Sequence, residues 1–223
     1  MTLRICGFYA NYFVSFTILL QEVLIPMKSH AAPSFFKQGL SLLLVVCLFF
    51  CVEAVSAQAY TLTGWKLCKK INFIPYSEIG STSISHFNEA LYQWNKECSV
   101  YTMTRDPKVR HSYTDFYKTD TTHNRIYRVR NPDDRAPGCT NTTYNMTTKQ
   151  VVSADINLNT YFHMSNYQQD GYFDVWTVFI HEAGHVLGFD HSSLDSVMNT
   201  YPEGTIKRLL TTNDKAGINY LYK

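Results

Sequence analysis

The chain predicts an α+β domain, with helices packed on one mixed sheet. Three observations lead there. A strand-like run is followed by an amphipathic helical pattern, then by several strand-like runs, then by two further helical patterns. No internal repeat or low-complexity linker divides the chain. About 165 residues remain after an N-terminal leader, which suits one domain.

The leader comes first. Leu40 to Val52, "LSLLLVVCLFFCV", is an unbroken apolar run of 13 residues, preceded by Lys28 and Lys37 and followed by Ala54, Ser56, Ala57 and Ala59. Basic, apolar and small-residue regions in that order are the layout of a secretory signal peptide. The run is short for a membrane span, which needs about 20 residues, so no stable anchor is expected. The reading is therefore a leader over residues 1–57, cleaved after Ala57 or Ala59, and a domain over 58–223. Counted from Met1 the signal is unusually long, whereas from Met27 it has ordinary length, which makes Met27 the expected start.

In the domain, "KINFIPY" (Lys70 to Tyr76) reads as a strand. From Ser83 to Glu97, apolar Ile84, Phe87, Leu91 and Trp94 line one helical face, with Ser81 or Ser83 as N-cap. "CSVYTMT" from Cys98, "NRIYRVR" from Asn124 and "VVSADINLN" from Val151 read as strands. Asn131 to Tyr144 is rich in Pro, Asp, Gly, Asn and Thr and reads as loop. "FDVWTVFIHEAGHVLG" reads as a helix capped by Asp174 and stopped at Gly188. A last helix is expected from about Asn213 to Tyr222, capped by Thr212 or Asn213.

Composition excludes some functions. A formal charge of +2 gives no electrostatic case for nucleic acid. Polar but weakly charged composition and the leader point to an extracellular protein. Removing Cys6, Cys47 and Cys51 with the leader leaves Cys68, Cys98 and Cys139. One disulfide is then open to them, with Cys68–Cys98 the favoured pair and three unpaired thiols the alternative. None has CxxC spacing.

The chemistry concentrates in "HEAGHVLGFDH". His181 and His185, four apart on a helix, present both imidazoles to one small cation. Gly188 permits a left-handed turn that swings His191 back to the same point. Three neutral imidazoles and one open position are the layout of catalytic rather than structural zinc. Glu182, beside the first ligand, is placed to take a proton from water whose pKa the metal lowers toward about 7.

The full HExxHxxGxxH is similar to the motif of the metzincin clan of zinc metallopeptidases. Ser192 after the third histidine resembles the matrixin (matrix metalloproteinase) branch; astacins usually have Glu there. Met198 in "SVMNTYP" resembles the Met-turn, the apolar floor beneath the zinc. "YTLTGWKL", "NEALYQWN" and "LTTNDKAGINYLY" resemble, more loosely, the opening, first helix and final helix of a matrixin catalytic domain.

The resemblance implies a twisted five-stranded mixed sheet with three helices and a zinc cleft between two subdomains. An extended protein or peptide substrate would lie along an edge strand, here expected to be "VVSADINLN". The implied activity is that of a secreted, monomeric zinc endopeptidase with one catalytic Zn²⁺. His181, His185 and His191 would be its ligands, Glu182 its general base and Met198 its structural support. Two alternatives stand beside it: an inactive metzincin-fold binding module, and a zinc hydrolase of a non-peptide bond. The intact Glu182 argues against the first and the extended cleft against the second.

The chain also departs from that family. No cysteine-bearing propeptide fits between the cleavage site and "YTLTGW", so emergence without a long inhibitory segment is expected. His86, His111, His123 and His163 match no second zinc site. Calcium stays unassigned: Asp170-Gly171 and Asp133-Asp134 suit it and suit turns equally. Tyr201-Pro202 is spaced unlike the family's Pro-x-Tyr element, leaving Tyr201 to the pocket wall, the oxyanion or plain packing. Asn141-Thr-Thr and Asn145-Met-Thr match the glycosylation acceptor pattern.

Overall fold

The computed structural model describes residues 2–5, 60–98, 103–108 and 123–222. These belong to one compact unit made of residues 1–8 and 59–223, while residues 9–58 group separately and lie outside the described residues. The signal-like run, the cleavage site and Met27 therefore lie outside them too.

The strands are β1 (Thr2–Ile5), β2 (Ile71–Pro75), β3 (Met103–Arg105), β4 (Asn124–Val129), β5 (Gly138–Tyr144) and β6 (Val151–Asn159), with two-residue β7 (Met164–Ser165) and β8 (Phe173–Asp174). The helices are α1 (Ser81–Asn95), α2 (Val175–Leu187) and α3 (Thr212–Tyr222). The main sheet has the order β1-β5-β6-β4-β2-β3. β3, β2, β4 and β6 run parallel, and β5 runs antiparallel to β6. β2 to β6 are thus the mixed five-stranded sheet that, with three helices, was expected of the α+β domain. β1 adds a sixth strand from within the segment read as leader, antiparallel to β5.

Burial explains why these elements hold together. Phe87 of α1 meets Phe73 of β2 edge-on at 5.3 Å between ring centroids and Phe179 of α2 at 5.1 Å. Such contacts join a sheet strand and two helices through one fully buried aromatic column. The Trp94 indole N–H donates to the Ile180 carbonyl at 2.8 Å, so α1 also fixes α2 along its length.

Several expectations are corrected. "VVSADINLN" is β6, an interior strand with β4 on one side and β5 on the other. One edge of the five strands is β5, which occupies half of the stretch read as loop; β3 is the other. Gly138 and Asn141 of β5 are poor strand formers, and pairing with β6 overrides that preference. α1 starts at Ser81 with Gly80 as N-cap and no side-chain cap. Ser83 instead bonds to Asn166 at 2.9 Å and accepts from Arg128, a tertiary use of the hydroxyl. α3 is capped by Thr211, whose hydroxyl accepts from the Asp214 N–H at 3.3 Å while Asp214 accepts from the Thr211 N–H at 2.7 Å. Cys68 and Cys98 are free thiols, which rules out the favoured pair. Cys139 is disulfide-bonded.

Candidate metal centre

Two of the candidate ligands, His181 and His185, stand on α2. Asp174 caps its start, accepting from the Thr177 N–H at 2.8 Å, and Arg208 pairs with the same carboxylate at 2.5 Å. That contact, with the Thr177 hydrogen bonds, holds the Asp174 carboxyl below its ordinary value although burial pushes the other way. Gly188 ends the helix in the left-handed region at φ 106°. An added Cβ there would sit 2.1 Å from the Trp65 carbonyl oxygen, so glycine is required twice over.

The turn after α2 is held by the segment that opens the domain. Thr63 N–H donates to Gly188 O and Asp190 N–H to Thr61 O, both at 2.9 Å, and Leu62 bridges Phe189. These bonds carry His191 back over the helix. The centroids of the three imidazoles are 4.8, 5.2 and 4.8 Å apart, and their ligand atoms lie within 4.8 Å of one another. The expected triad is therefore assembled, and it is the metal-ligating group found among the described residues.

The proton positions decide what the triad fits. His181 Nδ1 lies 2.8 Å from Val197 O and His185 Nδ1 lies 2.9 Å from Phe189 O. A carbonyl oxygen only accepts, so each Nδ1 carries the hydrogen and each Nε2 presents a lone pair. Those two Nε2 atoms are 3.2 Å apart. Tetrahedral zinc with bonds of about 2.0–2.1 Å needs ligand nitrogens about 3.3 Å apart. Facing lone pairs at that distance repel unless a cation lies between them, so the residues fit zinc.

The electrostatics agree. Burial, reinforced by the neighbouring His191, lowers His181 to about 4. Burial and both neighbouring imidazoles hold His185 well below its ordinary value. Burial also lowers His191, although Asp190 beside it pulls upward. All three are neutral at neutral pH, as ligation requires.

Met198 is buried beneath the centre. Its sulfur lies against Gly184, where a Cβ would approach Sδ to 2.2 Å and Trp94 Cζ2 to 2.9 Å. The turn that carries it is clamped by buried Asp214, which accepts from the Ser196 hydroxyl at 2.5 Å and the Val197 N–H at 3.1 Å. Because Val197 O holds His181, α3 supports the metal site through this turn.

Glu182 is buried beside the triad, its Oε2 accepting from the Thr140 hydroxyl at 2.6 Å. Burial raises it to about 8 in the metal-free protein; the Thr140 hydrogen bond opposes that rise and Asp134 adds to it. The cleft beside it is lined by Pro137 and Gly138 at the start of β5, by Val178, His181 and Glu182, and by Asn199 to Pro202 opposite. Tyr201 lines this wall and gives its hydroxyl to Ser196 O; burial and the Asp195 and Asp214 charges push it up to about 12.

Gly138, Thr140 and Gly184 were not singled out from sequence. Gly184 stands inside the HExxH stretch, where its small size was the available signal. The others fall in the segment that reads as loop. Of the remaining histidines, His86 bonds to Asn166 O and stacks on Trp176, and His163 tilts against Tyr172. His123 is exposed, and His111 lies outside the described residues. Asp134 acts as a turn residue, accepting from the Ala136 N–H at 3.3 Å.

Comparison with known proteins places this site in context. High choriolytic enzyme 1, a hatching enzyme zinc-protease from the medaka fish Oryzias latipes, is 13% identical with a TM-score of 0.38, covering 75% of this chain and 96% of its own. That likeness is too slight to bear on the assignment. No curated protein sequence matches the chain. The matrixin peptidase profile, however, matches residues 71–223, which span β2 to β6, all three histidines and the clamped methionine turn. With that match over more than half its length, this chain belongs to the matrixin family of zinc metallopeptidases.

Proposed function

We propose that this matrixin is a secreted zinc endopeptidase with Glu182 as general base. The observation that carries the reading is the pair of lone-pair-bearing Nε2 atoms 3.2 Å apart, with His191 completing the triad and Glu182 beside it. Zinc bound there would act as a Lewis acid, lowering the pKa of water and polarising the scissile carbonyl. His181, His185 and His191 would hold the ion; the carbonyls of Val197 and Phe189 fix the tautomers of the first two. Glu182 takes a proton from the attacking water and returns it to the leaving amine. Met198 backs the helix that carries the ligands.

The substrate is a peptide in extended form. β5 is one edge of the five-stranded sheet, its start borders the cleft, and β1 lies along it as an added antiparallel strand. Once the leader is removed, that edge is released for a peptide by the same strand addition. Secretion rests on the basic, apolar and small-residue order of the leader. Among the described residues no helix is long and apolar enough to cross a membrane.

The test is metal analysis together with digestion of a mixed peptide library, with and without chelator. One zinc per chain and chelator-sensitive internal cleavage are expected. Glu182→Ala is expected to keep its zinc and lose about 10²–10⁴-fold in kcat. Wild-type activity in that variant overturns the role of Glu182, and absence of zinc overturns the metal site.

A further inference from the structure

β5 does more than border the cleft. Successive odd or even positions of a strand face the same way, and Gly138 and Thr140 both reach Glu182. A Cβ on Gly138 would lie 2.8 Å from Glu182 Oε1 and 3.0 Å from its Cγ, so the bare Gly138 backbone covers the carboxylate at close range. Thr140, fully buried, places its hydroxyl 2.6 Å from Oε2 and 3.0 Å from the Glu182 backbone carbonyl.

The structure assigns to Thr140 the positioning of the Glu182 carboxylate, with Gly138 leaving the room that carboxylate needs. The assignment rests on the reading of Glu182 as general base and deepens it. A threonine hydroxyl has one hydrogen. Against an ionised carboxylate it goes to the shorter, charge-assisted contact at Oε2. Oε1 makes no hydrogen bond to any described residue, which leaves it as the oxygen that exchanges the proton. When Oε1 is protonated, Oε2 remains an acceptor, so the Thr140 bond holds the side chain in both states of the cycle. The Glu182 backbone carbonyl, 3.0 Å from the same hydroxyl, is the alternative acceptor for that one hydrogen, so the hydroxyl stays against Glu182 whichever acceptor it serves.

A purely structural role predicts something different. A threonine that only joins β5 to α2 would affect melting temperature and leave turnover of the folded enzyme intact. The test therefore compares the zinc-loaded full chain with its Thr140→Val and Thr140→Ser variants, read as kcat and KM separately on a peptide from the library digest. Thr140→Val, similar in shape and lacking the hydroxyl, is expected to keep zinc and KM. Its kcat should fall about 10–100-fold, the scale on which a misplaced catalytic group costs rate. Thr140→Ser is expected to recover kcat to within about threefold of the wild type, by the same argument.

In a Glu182→Ala background Thr140→Val is expected to change the residual rate no further, because the group it positions is gone. Should Thr140→Val not fold, Thr140→Cys, close in volume with a weaker donor, carries the test, with a kcat expected below that of Thr140→Ser. Wild-type kcat in the folded Val or Cys variant, or a change confined to KM, overturns the assignment while leaving Glu182 as base. Activity retained by Glu182→Ala alone instead overturns the underlying reading.

Discussion

Glu182 and the histidines beside it respond to pH in opposite directions in the metal-free protein. Burial raises Glu182 to about 8 from an ordinary value of 4.5. Its folded pKa is the higher one, so its contribution to stability is fully present below about pH 4.5 and lost as pH rises through 8. His181 is lowered to about 4 from 6.5, so its contribution is present above 6.5 and lost as pH falls toward 4. Glu182→Gln removes the first effect and leaves the second, so the difference between the two proteins isolates residue 182. At 1.36 kcal/mol per unit the full shift is an upper bound of roughly 5 kcal/mol. In chelator-treated protein, the melting temperature of Glu182→Gln should exceed that of the wild type by at least about 4 °C at pH 8 and converge on it near pH 5. Zinc should narrow the gap, since its charge stabilises the carboxylate that glutamine lacks. A gap independent of pH would show that Glu182 is not ionising in a buried site.

The helices of the site were legible because their signals are local. Asp174, Gly188 and the histidine spacing act within α2 itself, and the structure has the cap, the left-handed stop and the triad where those residues stand. β5 was not, since "GCTNTTY" lacks an apolar alternation and follows a stretch rich in Pro, Asp and Gly, which outweighs its Thr and Tyr; its partner β6 supplies the hydrogen bonds and α2 buries its face. For the same reason β6 was mistaken for the edge, and with β5 unseen the neighbours of Glu182 were hidden. Gly184 shows a conflict between element and packing. Alanine there favours the helix by up to about 1 kcal/mol, yet its Cβ would overlap Met198 Sδ, and overpacking costs about 1–3 kcal/mol. Packing should win: Gly184→Ala is expected to be less stable by about 1–2 kcal/mol. Displacing Met198 disturbs the turn whose Val197 carbonyl holds His181, so zinc affinity should fall as well. Denaturant unfolding and competition against a chelator measure the two effects. Met198→Ala in the same chain should relieve part of the loss, and strictly additive losses would mean that the contact is not the cause.

For the whole molecule, the N-terminal segment decides the state of the edge. β1, which lies in the segment read as leader, pairs along β5. A chain cleaved after Ala57 or Ala59 lacks β1, so its β5 edge is open. Cleavage in the secretory path therefore predicts a coupled result. Secreted protein should begin at Gln58 or Tyr60 and cleave peptides without further processing. Intact-mass measurement reads the first, and a peptide assay reads the second. Peptides from residues 2–57 in active protein would show instead that the leader stays attached, and that substrate reaches the zinc cleft without the β5 edge.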